Sequence, residues 1–354
     1  MLPKGVLVVP SSAGMAGPWL DATRATSLQR VANRPIVCHA LEAMREAGVL
    51  EVAIVTPPDL GEEIRACVEH EGPPGMDVRH LVHDHRGQLA AALLAASDLM
   101  SDSPVILQRA DGLLGQPLKP FVELLQAESP ELVMLVQEGT SNGDRLRPAT
   151  QHLIGVAELD ATTGTRSVAG MCLLSSAAAR RLAGDESSKV GLDFASVAEE
   201  VAVDGAQVLV GITHHWHHFD GEMLDLLEMN RIALTALEPG RVTSESRDNR
   251  FEGPVCIHPT ASITSSVIVG PVIVGAEAVV MDSYIGPHTS IGERVRVEGA
   301  EVERSIILAG ASILHVGGRL VASVVGRDAR IFRDFAVPRA FRLEVGDGDK
   351  VALC

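Results

Sequence analysis

From Val255 to about Phe332, short apolar triplets return every five or six residues. They read Val267-Ile-Val-Gly270, Val272-Ile-Val-Gly275, Val279-Val-Met281, Tyr284-Ile-Gly286, Ser290-Ile-Gly292, Val295-Arg-Val297, Ser305-Ile-Ile307 and Ser323-Val-Val-Gly326. Neither a heptad nor a 3.6-residue period fits them. A hexapeptide period fits a parallel β-helix, in which each repeat makes one flat side of a three-sided coil. Stacked coils bury a column of Val and Ile that one coil alone leaves wet. An ordinary β-sandwich is the competing reading.

The first part of the chain has a different grammar. Val6–Pro10, Glu51–Thr56, Val78–His83 and Pro104–Gln108 read as buried strands, separated by helices at Ile36–Ala47, Leu60–Glu71 and Gln88–Leu99. Strands alternating with helices imply a mostly parallel sheet covered on both faces. Strands follow at Glu131–Gln137, His152–Leu159, Val168–Leu174 and Gln207–Phe219, with helices at Ala195–Val203 and Gly221–Leu237. The last helix ends at Pro239-Gly240. The polar stretch Thr243–Asn249 is a linker, so two domains are expected, 1–240 and 250–354.

The stretch after the first strand suits a phosphate. Ser11-Ser-Ala-Gly-Met-Ala16 is a small-residue loop leading toward a helix, and such a loop lets backbone N–H groups approach phosphate oxygens. Yet Ser11–Asp21 contains no Arg or Lys. Only Lys4, Lys119, Lys189 and Lys350 among the 30 cationic side chains are lysine, so a mechanism needing a lysine has four candidates. A net charge of −16 and few aromatics argue against binding nucleic acid or an anionic membrane. Cys38, Cys67, Cys172, Cys256 and Cys354 are widely spaced without a C-x-x-C pair, as expected in a reducing cytoplasm. No signal-peptide pattern or 18-residue apolar run is present, so a cytoplasmic protein without a membrane span is expected.

The chain resembles the long-form sugar-1-phosphate nucleotidylyltransferases, in particular glucose-1-phosphate thymidylyltransferases. The landmarks are Val31-Ala-Asn-Arg-Pro-Ile36, Gly155-Val-Ala-Glu-Leu-Asp160, Leu227-Glu-Met-Asn-Arg231 and Asp282-Ser-Tyr-Ile-Gly-Pro-His-Thr-Ser-Ile-Gly292. The resemblance implies a Rossmann-like α/β domain with a mostly parallel mixed sheet, followed by a left-handed parallel β-helix. It implies nucleotide contacts at Ser11, Ser12, Ala13, Gly14 and Gln88, and sugar contacts at Gly155, Gly170 and Asp193. It implies Mg²⁺ for nucleotidyl transfer, with Asp111 as one ligand. The second ligand's position falls on Phe219, and Asp220 lies one residue late.

The sequence departs from the family where charge matters. The family's loop arginine is absent. One of its lysines falls at or near Thr26, and a second, in a Glu-Lys-Pro motif, is missing, with Arg166 as the nearest substitute. Arg24, Arg30 and Arg109 are the candidate replacements, with Arg24 and Arg109 given the catalytic role. At the positions that face the base, His83 replaces an amide and Gln88 a small residue.

The run His214-His-Trp-His-His218 is the second cluster. On one continuous strand, His215 and His217 would share a face opposite His214, Trp216 and His218. His217 and His218, joined by Asp111 and Asp220, would make a Zn²⁺ or Mn²⁺ site. His258, His288 and His315 on the β-helix suggest acyl transfer more weakly.

The favoured expectation is a divergent nucleotidylyltransferase that binds a nucleotide or sugar phosphate and has lost most of its transfer activity. Competing readings are an active enzyme with arginine replacements, a non-catalytic scaffold or partner subunit, and a metal enzyme built on the His214–His218 cluster. A homo-oligomer formed through the β-helix is expected in each case.

Overall fold

The computed structural model describes residues 2–11, 25–83, 89–138, 144–145, 166–184, 192–194, 196–202, 206–213, 215–237 and 248–334. The first part holds β1 (Lys4–Val8), the hairpin β2 (Arg30–Val31) and β3 (Arg34–Pro35), α1 (Ile36–Glu46), β4 (Glu51–Thr56), α2 (Gly61–Glu71) and β5 (Asp77–Val82). Next come α3 (Leu89–Ala95), α4 (Ser97–Met100), β6 (Val105–Arg109), β7 (Gly112–Leu114), α5 (Lys119–Glu128), β8 (Leu132–Glu138) and β9 (Asp144–Arg145). They are followed by β10 (Arg166–Leu174), α6 (Ser176–Ala183), α7 (Val197–Ala202), β11 (Val208–Thr213), β12 (Trp216–His218) and α8 (Met223–Thr235).

The main sheet runs β11-β8-β10-β6-β1-β4-β5, with β9 beside β10. It is parallel except at β10, which is antiparallel to β6, β8 and β9. This is the mixed sheet that the sequence implies. Side chains alternate between its faces. Val6, Val8, Ala53, Val55 and Leu107 pack with α3, α6 and α7 on one face. Leu7, Val9, Ile54, Ile106 and Val133 pack with α1, α2 and α5 on the other.

Several boundaries differ from the sequence reading. The helix expected over Gln88–Leu99 divides at Ala96 into α3 and α4. The strand expected over Gln207–Phe219 is two strands: β11 joins the main sheet, whereas β12 pairs with β7 in a small sheet of its own. Helices α5 and α6 were absent from that reading. Both carried local signals: Pro120 in the first turn of α5, and Ser175, whose hydroxyl accepts a hydrogen bond from Ala178 N–H at the start of α6. The strand expected at His152–Leu159 lies outside the described residues.

Residues 250–332 form three five-stranded parallel sheets, the architecture of a left-handed β-helix. On one side Arg250, Val267, Tyr284, Glu301 and Arg319 stack in register. On two sides the central residue of each triplet points inward, as at Ile268, Val280, Val297, Val302 and Ile313. On the third the flanking pair Val272 and Val274 does so.

Tight corners require left-handed backbone, adopted by Ser265, Asp282 and Gly299 along one edge and by Glu277, Arg294, Gly310 and Asp328 along another. Non-glycine residues in that conformation cost free energy. Hydrogen bonds between coils offset it. Ser266 Oγ accepts from Ser283 N–H, and Ser283 Oγ accepts from Ala300 N–H, along the first of these edges.

Helix α8 lies between the two parts. Its Leu226, Met229 and Ile232 share a buried cluster with Val31, Ile36, Leu113 and Phe219 on one side and Ile306 on the other.

Candidate functional site

A parallel sheet gathers the carboxyl ends of its strands at one edge. Chain order reverses there between β1 and β6: β4 and β5 extend the sheet one way from β1, and β6 lies on the other side. Open α/β sheets bind ligands in the crevice outside such a reversal. Val9 N–H bonds Val55 O and Ala110 N–H bonds Val8 O, so the chain leaving β1 and the chain leaving β6 are fixed to the sheet there.

Asp111 sits just beyond β6 with its side chain fully buried. Arg109 meets it side-on: Nε donates to Oδ1 at 2.9 Å and Nη2 to Oδ2 at 2.9 Å. Thr26 Oγ1 donates to Oδ2 at 3.3 Å. The position matched to a family lysine thus supplies a hydroxyl to this carboxylate.

Close packing holds Arg109 in place. A β-carbon placed on Gly170 would lie 2.5 Å from Arg109 Cδ and 2.9 Å from Trp216 Cζ2. Gly170, matched by resemblance to the sugar pocket, gives its space to Arg109 and Trp216. A β-carbon on Gly112 would lie 2.2 Å from Trp216 Cη2, so the indole also presses on the backbone just after Asp111.

The other expected residues divide by location. Arg30 is spent on Glu71, with Nη1 to Oε1 at 2.8 Å and Nη2 to Oε2 at 2.5 Å. That corrects its reading as a replacement cation. Lys4 pairs with Glu51 at the amino end of β1, away from the crevice. Ser11 follows β1, and Arg24, Ser12, Ala13, Gly14, Gln88 and Gly155 lie outside the described residues. Asp193 acts as a cap: its Oδ1 accepts Ser196 N–H at 2.9 Å and Ser196 Oγ–H at 2.7 Å just before α7.

The histidine run does not assemble as expected. His214 lies outside the described residues, and His215 precedes the three-residue strand β12 rather than alternating within it. Within β12, Trp216 is buried and His217 turns to α8, where its Nε2 lies 3.1 Å from Asp225 Oδ1. His218 pairs across to Gly112. Among the described residues, no group of three or more His, Cys, Asp or Glu side chains is arranged to hold a metal. The Zn²⁺ or Mn²⁺ site on His217, His218, Asp111 and Asp220 is therefore not formed, because Asp111 is taken by Arg109 and His217 by Asp225.

Asp220 also faces α8. A hydrogen bond to Asp225, then burial, raises its pKa from the ordinary 3.8 to about 6. Burial raises Asp225 too, but hydrogen bonds from His217 and Asp220 outweigh it and hold that carboxyl below the usual range.

The Mg²⁺ implied by resemblance finds a poor fit in these residues. Both oxygens of Asp111 are engaged by protein donors. Phe219 at the second ligand position is fully buried in the apolar cluster against α8, and Asp220 is committed to Asp225.

The raised pKa of Asp220 has a measurable consequence. A carboxyl with a raised folded-state pKa adds stability below its unfolded value, and that stability is lost as pH rises through the folded value. The window here runs from 3.8 to about 6. Asp220 is largely exposed, so screening reduces the effect to about 1 kcal/mol. In thermal unfolding at several pH values, wild type is expected to lose this margin over Asp220→Asn across the window. A constant difference between the two proteins would contradict the shared proton.

No protein-family model matches the chain. It is 29% identical over 352 residues to a glucose-1-phosphate thymidylyltransferase of Streptomyces griseus, covering 98% of this chain and 99% of that one. It is 26% identical over 361 residues to the low-salt glycan biosynthesis nucleotidyltransferase Agl11 of Haloferax volcanii, covering 99% and 100%. A solved Bacillus anthracis structure, provisionally described as a glucose-1-phosphate thymidylyltransferase in complex with sucrose, shares the fold. Its TM-score is 0.56 at 15% identity, over 67% of this chain and 97% of that one. Likeness along nearly the whole sequence, together with the shared fold, makes this chain a relative of the sugar-1-phosphate nucleotidylyltransferases.

Proposed function

We propose that the chain is a divergent sugar-1-phosphate nucleotidylyltransferase-like protein. It holds a nucleotide or sugar phosphate in the crevice between β1 and β6, and its ordinary transfer reaction is lost or greatly weakened. That reaction, carried over from the resemblance, is dTTP plus glucose 1-phosphate giving dTDP-glucose and pyrophosphate.

The observation that carries this reading is the engagement of Asp111. Nucleotidyl transfer brings a sugar phosphate to the α-phosphorus of a triphosphate, and further negative charge moves onto the departing pyrophosphate. Catalysis of such a step is positioning plus electrostatic stabilisation by cations. Here one carboxylate of the expected metal pair is closed off by Arg109 and Thr26, and Phe219 stands at the other ligand's position. The sequence after β1 adds no Arg or Lys between Ser11 and Asp21. The frame of the pocket therefore supports binding better than turnover.

Pyrophosphate release from dTTP and glucose 1-phosphate with Mg²⁺ tests the proposal. Loss of one stabilising donor typically lowers a rate by about 10²–10³. Turnover is expected to fall at least that far below the Streptomyces griseus relative assayed beside it. A comparable rate would overturn the weakened-activity reading. A parallel thermal-shift panel of nucleoside triphosphates and sugar phosphates tests binding, since a ligand at 100 times its Kd stabilises the folded state by about 2.7 kcal/mol.

A further inference from the structure

We infer that Arg109 is the resident cation of the β1–β6 crevice, and that the site takes its phosphate-bearing ligand without a divalent metal bridging that ligand to Asp111. This rests on the reading above that the crevice binds a nucleotide or sugar phosphate, and it concerns how that binding is charged.

Charge balance supports it first. A divalent ion held by two carboxylates makes a neutral unit. This site has one carboxylate, Asp111, and one guanidinium, Arg109, which are neutral together. A metal entering here would find its second carboxylate replaced by Phe219. It would also have to pull a fully buried carboxylate away from a bidentate partner. A charge-assisted fork of this kind is among the stronger and more directional hydrogen-bonding arrangements.

Packing supports it next. Arg109 is not a loose surface side chain that swings aside for an ion. Its Cγ and Cδ lie against the bare Cα of Gly170, where a β-carbon would stand 3.1 and 2.5 Å from them. Trp216 closes over the same glycine. Thr26 supplies a further donor to the carboxylate. The Arg109 side chain is 27% exposed while that of Asp111 is 0% exposed, so the cation and not the anion of this pair reaches the surface at the carboxyl end of β6.

The experiment uses the full chain. Mn²⁺ binding is followed by paramagnetic resonance or calorimetry in wild type and in Arg109→Gln, whose fold is checked by circular dichroism. Wild type is expected to bind no Mn²⁺ at this site at millimolar concentration. Arg109→Gln is expected to gain at least about tenfold in Mn²⁺ affinity, because Asp111 becomes an available ligand. Separately, thermal shifts with dTTP and with glucose 1-phosphate are compared in EDTA and in Mg²⁺.

Equal shifts in the two buffers support the inference. Shifts seen only in Mg²⁺ overturn it and leave the binding proposal standing. No shift in either buffer removes the binding proposal, and the Mn²⁺ measurement on wild type then decides alone. Stoichiometric Mn²⁺ in wild type that is lost in Asp111→Asn overturns the inference, whether or not Arg109→Gln folds.

Discussion

Asn230→Leu is expected to destabilise the protein by about 3–5 kcal/mol, seen as a lower denaturant midpoint at unchanged slope. Asn230 lies on α8 and is fully buried. Its Oδ1 accepts Ala32 N–H at 2.8 Å and Ser290 Oγ–H at 2.6 Å, and its Nδ2 donates to His288 O at 3.0 Å. One amide thereby ties the β2–β3 turn to the third coil of the β-helix. Leucine keeps the branched heavy-atom skeleton, in a bulkier form, and has none of the polar atoms. It would leave three buried groups without this partner, each at roughly 1–3 kcal/mol. The neighbouring Asn33, held at a φ of 61°, adds a parallel tie from its Nδ2 to Ile291 O at 2.6 Å. A change of less than about 1 kcal/mol would show that the groups find other partners and that α8 does not fasten the junction through this side chain.

That junction explains which landmarks survive. Val31–Ile36 and Leu227–Arg231 carry the resemblance in sequence, and in space they are the two sides of the Asn230 contact. They preserve the fastening between the sheet and the β-helix rather than chemistry. Local pattern made the rest of the architecture legible. The unbroken apolar run Val6–Val9 announces a strand buried on both faces, and the recurring triplets announce the coils.

Long-range pairing was not legible in that way. Arg109 and Asp111 are two residues apart, which says nothing of whether their side chains meet. It takes Gly170 and Trp216, from β10 and β12, to press Arg109 into place. The histidine run misled for a related reason. A continuous strand would have set its residues on alternating faces, but β11 and β12 belong to different sheets. β11 ends at Thr213 and β12 begins at Trp216, so His215 stands outside β12 and does not alternate with His217 within one strand.

Trp216→Ala is expected to cost about 3–5 kcal/mol, although the tryptophan stands among four histidines that look more functional. Its side chain is 1% exposed, on the face of the sheet that packs α1 and α5. Its six-membered ring fills the space left by Gly112 and Gly170, so truncation opens a cavity lined by rigid backbone that cannot readily collapse. Its Nε1–H is buried with no hydrogen-bond partner among the described residues. Trp216→Phe removes that orphaned donor while keeping most of the ring. It is expected to cost only about 1 kcal/mol, the lost volume being partly offset by the donor it no longer buries. In a Trp19→Phe background, Trp216 is the chain's single tryptophan, and its emission should be blue-shifted in the folded state and move red on unfolding. If Trp216→Ala unfolds at the wild-type midpoint, the indole does not buttress the Arg109 side chain, and the rigidity of the Arg109–Asp111 pair must come from elsewhere.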